Sequence, residues 1–164
     1  MTRTTRVRFA VRLTTALAVL LSTLGCNSGG DDMKSTEAAN ELRAESARLA
    51  ERLGDPGPQV GQDEFLTCKP EVYDGNVYLT YSLQAALNPD AVSLMEGDIV
   101  PAMKEEGWTL RKRDSETYVA YDFDRAGFTV GVTIPKREEA KSISVGGASP
   151  CVEDDGNTGI IHDE

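Results

Sequence analysis

The sequence holds one histidine, His162, in an acidic, glycine-containing stretch that carries no hydrophobic pattern. A Ser-His-Asp or Cys-His arrangement needs an imidazole held by its surroundings. Residues 153–164 instead read as an acidic disordered tail. No G-x-S-x-G occurs, and Gly146-Gly147-Ala148-Ser149 reads as a turn before Pro150. Paired carboxylates would be the route to glycoside cleavage of wall polymers. Asp122 and Asp124 alternate with Phe123, so both face away from the side on which Phe123 packs, toward solvent. Glu153-Asp154-Asp155-Gly156-Asn157 has the acidic-then-glycine order of a calcium loop, but His162 stands where that loop needs its Glu. No catalytic residue, metal ligand or cofactor is assigned, and a non-enzymatic protein is expected.

Two further groups bear on recognition. Arg111-Lys112-Arg113 is a basic knot on an acidic chain. In an alternating strand its charges divide between the two faces, which suits an edge protected against pairing. Tyr73, Tyr78, Tyr81, Tyr118, Tyr121 and Trp108 are the aromatic resource for a binding face, most of them expected in the core or at its rim. If Val77, Leu79, Tyr81 and Leu83 face the core, Tyr78 lies on the opposite face, a candidate recognition patch where no helix covers it.

The first 25 residues set the compartment. Arg3, Arg6, Arg8 and Arg12 precede an apolar run from Leu13 to Leu24, and Gly25 leads into Cys26. A basic segment followed by a short apolar segment is the secretory pattern, and no Arg-Arg pair points to the twin-arginine route. Thr23-Leu24-Gly25-Cys26 resembles the lipobox of bacterial lipoproteins, the motif read by prolipoprotein diacylglyceryl transferase and the lipoprotein signal peptidase. The resemblance implies that residues 1–25 are a signal peptide and that Cys26 becomes a diacylglyceryl cysteine, carrying palmitate-type chains into the membrane. Two acyl chains, at about 0.8 kcal/mol per buried methylene, suffice for stable anchoring. The expected location is the cell membrane, lipid-anchored, on the extracytoplasmic side. Removing residues 1–25 takes four of 17 basic residues and none of 27 acidic ones from a chain already at −10, a surface that repels nucleic-acid phosphate.

Acylation of Cys26 leaves Cys68 and Cys151. In an oxidising compartment an even pair is a disulfide candidate, and a single His with no C-x-x-C offers too few zinc ligands. Closing so long a loop is worth about 4.5 kcal/mol by chain entropy and ~2–4 in practice.

These residues need elements to position them. Residues 26–34 suit a flexible tether beyond the lipidated cysteine. From Ser35, Leu42, Leu49 and Leu53 recur at helical spacing, with Ser35 placed to cap the start and Gly54 to end it. Asp55-Pro56-Gly57-Pro58 is a loop. Asn76 to Leu83 alternates as a half-buried strand. Asn88-Pro89-Asp90 starts a second helix with Val92, Met95, Ile99 and Met103 on one stripe, and Pro101 should kink or split it. Strands follow at 108–113, 117–123, 128–135 and 142–145, joined mostly by short turns. The expectation is an α+β fold over residues 35–152: an antiparallel sheet of about five strands with one or two helices packed on one face.

The segment from Tyr118 through Phe128, Val130 and Val132 to Ser149-Pro150-Cys151-Val152 is similar to the C-terminal end of small actinobacterial lipoproteins of unknown function. That resemblance covers about a third of the chain, rests on the Gly-Phe-x-Val-x-Val strand and the Ser-Pro-Cys-Val ending, and carries over no catalytic residue. The function it implies is a surface binding or scaffolding domain with an unidentified partner or ligand. An enzyme or enzyme accessory acting on cell-wall material is the alternative.

Overall fold

A computed structural model of the chain describes residues 33–55, 57–70, 72–137 and 139–160. Thr23, Leu24, Gly25, Cys26 and His162, with the leader and most of the tether, lie outside the described residues.

Helix α1 spans Ser35–Arg52 and buries Ala38, Ala39, Leu42, Ser46, Leu49 and Ala50 along one side. Three of these are alanines, which let the helix axis lie close to the sheet. Gly54 ends the helix with φ +96°, and the Asp55 N–H returns to the Ala50 carbonyl at 3.2 Å, a glycine-terminated stop. The start departs from expectation. Ser35 is inside the first turn and fully buried, Lys34 precedes the helix, and neither caps it with a side chain. The free donor of Thr36 is met instead by the Asp155 carboxylate at 3.1 Å, and the Asp155 N–H donates to Ser35 Oγ at 3.1 Å. In the segment from Glu153 on, expected from sequence to be disordered, the carboxylates meet helix α1 and close turns of their own. The tether likewise gives way early: Met33 packs on the core and Lys34 pairs with Glu153.

Among the described residues the sheet is antiparallel and has seven strands: β1 (Gln59–Lys69), β2 (Val72–Ala86), β3 (Thr109–Asp114), β4 (Tyr118–Arg125), β5 (Phe128–Pro135), β6 (Ser142–Ala148) and β7 (Val152–Glu153). Six lie side by side in the order β1-β2-β6-β5-β4-β3, and β7 pairs with β2 beyond the end of β6. The α+β architecture is the expected one, with two more strands than anticipated. Strand β1 was not foreseen, and β6 runs through Gly146-Gly147, read from sequence as a turn. Those glycines sit mid-strand because their neighbours leave no room: a Cβ on Gly146 would meet the Tyr81 carbonyl oxygen, and one on Gly147 the Thr129 carbonyl oxygen.

One face of the sheet carries Leu79, Tyr81, Leu83, Val145, Val130, Val132, Tyr121 and Phe123, all buried in a single core under the helices. The second helical segment crosses from β2 to the far edge at β3. It begins two residues later than Asn88 suggests, as α2 (Ala91–Leu94), and passes through a π-helical turn (Met95–Ile99) into α3 (Val100–Glu105). Pro101 has no N–H to return to the preceding turn, and the wider turn absorbs the register change just before it. Met95, Ile99 and Met103 are buried as the stripe requires, while Val92 is 37% exposed.

Candidate functional site

The structure brings Cys68 and Cys151 together as a disulfide with a Cα–Cα distance of 5.9 Å. It fastens edge strand β1 to the segment between β6 and β7. Ser149 fills the gap in that segment, accepting the Leu79 N–H on its Oγ at 2.8 Å while its own N–H donates to the Leu79 carbonyl.

The acidic pair behaves as ion-paired surface. Asp122 and Asp124 do share the face opposite Phe123, where Arg113 Nε donates to Asp122 at 3.0 Å and Thr129 Oγ1 to Asp124 at 2.8 Å. Arg111 lies within ion-pair distance of both. The carboxylates are occupied by arginines and a hydroxyl, and a recess beside them is lined by Arg111, Arg113, Asp122 and Thr129. Arg111 and Arg113 thus point to one face and Lys112 to the other, as strand alternation demands. Asp154 and Asp155 close their own turns, accepting the N–H groups of Gly156 and Asn157. Among the described residues no group of three acidic, Cys or His side chains could hold a metal, and no helix is long and apolar enough to cross a membrane.

Tyr78 is half-buried on the face that no described helix covers, opposite Leu66 of β1. Tyr118 shares that face but pairs with Pro135 at the far end of β4, with β5 and β6 lying between it and β2. The sheet keeps these tyrosines apart. Trp108 and Tyr121 are core residues, the first with the Arg125 guanidinium 4.3 Å over its ring.

The structure assembles a different concavity, where the core opens at one end between α2 and the β3-β4-β5 hairpins. It is a cleft of about 470 Å³, within the range of small-molecule sites. Val119 and Ile134, 5% and 4% exposed, form its floor, with Leu87, Pro89 and Pro135 on the sides and Val92 at the lip. Its polar wall is a row of alternating charge. Lys112 Nζ donates to Glu96 Oε1 at 2.5 Å, and Lys136 Nζ to Asp114 Oδ1 at 2.5 Å and to the Ser115 carbonyl at 2.6 Å. The Tyr121 hydroxyl, on a side chain with no exposed surface, donates to the same Glu96 oxygen at 3.0 Å. The Lys112 ammonium first, then the Tyr121 hydroxyl, holds the Glu96 carboxyl below its ordinary range. Lys136 does the same to Asp114, and Glu96 in turn raises Lys112. Both acids and Lys112 are therefore charged at neutral pH.

Glu96 belongs to the π-helical turn, a feature that often marks functional positions. Pro101, inside the helical segment, is the one local sign in the sequence that the helix departs from regularity here, and it does not single out Glu96. Nothing local marked Lys136, Asp114 or Leu87, because their meeting depends on long-range packing. Known family models, curated proteins and solved structures contain no match to this chain.

Proposed function

We propose that this chain is a lipid-anchored extracytoplasmic protein, fixed to the cell membrane through a diacylglyceryl group on Cys26, whose domain binds a ligand or partner without catalysis. The observation that carries this reading is the division of the cysteines. The fold pairs Cys68 with Cys151 and leaves over the one cysteine that ends the apolar leader in Thr23-Leu24-Gly25-Cys26. A disulfide that spans most of the domain suits an oxidising compartment, and the remaining thiol is the one a lipobox would acylate.

The position of the chain's entry supports the same reading. The described chain enters at Met33 and Lys34, beside Glu153, while the cleft lies past the opposite end of α1, where Asn88 Nδ2 donates to the Leu53 carbonyl at 3.1 Å. Eighteen helical residues separate the two ends by about 27 Å, so the cleft and the point of chain entry lie at opposite ends of α1. Against the wall-enzyme alternative stand the Asp122 and Asp124 carboxylates, which arginines already neutralise.

The test is the intact mass of the membrane-associated protein before and after reduction and thiol alkylation. The expected species begins at Cys26, carries a diacylglyceryl group and gains two alkylatable thiols only on reduction. An unmodified Cys26, or a chain cut elsewhere, overturns the anchor.

A further inference from the structure

We propose that the cleft lined by Leu87, Val92, Glu96, Lys112, Val119 and Ile134 binds an amphiphile with an apolar body and a head of no net charge, zwitterionic or polyhydroxylic. This rests on the binding reading above and adds the ligand's place and class.

The first argument is charge. The chain as a whole is strongly acidic, at −10, yet the cleft wall holds two lysines and two carboxylates, each closed on the other. A head with net charge meets a wall whose charges already cancel in pairs, so it finds no net attraction there. A zwitterionic or hydroxyl-bearing head bonds to both members of a pair and leaves neither alone. The second argument is shape. Leu87, Pro89, Val92 and Pro135, over a floor of Val119 and Ile134, give the cleft an apolar lining beside the Glu96-Lys112 wall, so body and head each meet matching surface. The third is the extent of apolar surface. Among the described residues the exposed large hydrophobics are Val60, Val72, Tyr73 and Val92, and of these only Val92 borders the cleft. A protein partner needs about 800 Å² per side, whereas the apolar lining here is recessed in the cleft and, among the described residues, Val92 is the one exposed large hydrophobic at its rim. Glu96 itself is held in place by the buried Tyr121 hydroxyl on a π-helical turn, so the polar wall is preorganised and a ligand need not order it.

The experiment uses the full chain in nanodiscs and dodecyl probes with a diazirine at the chain end, bearing phosphocholine, sulfate or trimethylammonium heads. Cross-linked peptides are mapped by mass spectrometry. The phosphocholine probe is expected to label the Val119 or Ile134 peptide about tenfold more than either charged probe. Val92→Asp, at an exposed lip position, should cut that labelling about tenfold with the melting temperature unchanged, because a charge then lines the apolar entrance. Glu96→Gln frees Lys112 and should reverse the preference toward sulfate, which a purely structural role would not do. Competition by dodecylphosphocholine alone marks a single-chain soluble ligand and competition also by diacyl phosphocholine vesicles marks membrane lipid; either supports the proposal. Labelling that misses the cleft peptides, ignores the head group or survives Val92→Asp overturns it. The peptides are read the same way whether or not Cys26 carries lipid, so failure here leaves the anchor standing, and the reverse.

Discussion

Asp155 shows how one side chain in a segment with no hydrophobic pattern can fix the start of a helix 119 residues earlier. Its carboxylate accepts the Thr36 N–H in the first turn of α1 and the Asn157 N–H of its own turn. A negative charge at a helix N-terminus also meets the positive end of the helix dipole. The Thr36 contact is the largest of the influences that hold this carboxyl far below the ordinary aspartate value of 3.8. The sign of the linkage follows: a depressed acid contributes stability while it is ionised and loses it as the pH falls through its folded value. Asp155→Asn keeps an acceptor oxygen but removes the charge, so the variant should melt below the parent at pH 7. That gap should narrow progressively as the pH drops below about 4 and the parent's carboxyl takes up its proton. Thermal melts of both proteins between pH 7 and pH 2 check this; a gap that stays constant with pH would mean the charge is not what matters.

Strand β6 shows the same economy at the level of an element. It lies between β2 and β5, and its two glycines leave no room for a side chain against those neighbours. A Cβ at Gly147 would fall 2.7 Å from the Thr129 carbonyl carbon and 3.0 Å from Val130 Cα, both backbone atoms that cannot rotate away. Gly147→Ala should therefore cost about 1–3 kcal/mol or more, as overpacking does. Gly97→Ala, where nothing lies within 4 Å of the added carbon, should be neutral or gain about 0.4–1 kcal/mol. Urea midpoints of the two variants decide the matter. These glycines also explain what the sequence conceals. Helix α1 and strands β2, β4 and β5 were legible because Leu42 and Leu49, or Val130, Val132 and Ile134, repeat at the period of their element. Gly146-Gly147 read as a turn because local propensity says so, and only the approach of Thr129 and Tyr81 makes them a strand. Strand β1 left no trace because seven of its eleven residues are exposed and the other four, Phe65–Cys68, only half-buried, so no long alternating apolar face was required. The cleft was hidden for a related reason: Glu96, Asp114 and Lys136 come from three separate elements, and each alone is an ordinary surface charge.

At the scale of the whole molecule the described chain divides into a central sheet and a clasp at the end where α1 begins. Strands β2, β6, β5 and β4 are each paired on both sides, and their core side chains are among the least exposed. Strand β1 has one neighbour, and besides that ladder it is fastened by the Arg43-Asp63 ion pair and the disulfide. The disulfide's other end lies in the segment that carries β7 and the Asp155 contact, so one bond ties both peripheral pieces to the sheet. Cys68→Ala together with Cys151→Ala should lower global stability by about 2–4 kcal/mol, because the loop it closes spans 83 residues. The distribution of that loss is the sharper prediction. Amides of β1 and of residues 152–155 should exchange by local opening well before the sheet unfolds, while β5 and β6 keep protection equal to the global value. Native-state hydrogen exchange on the oxidised protein and the double variant separates these outcomes. An equal loss at every amide would show that clasp and sheet unfold as one unit.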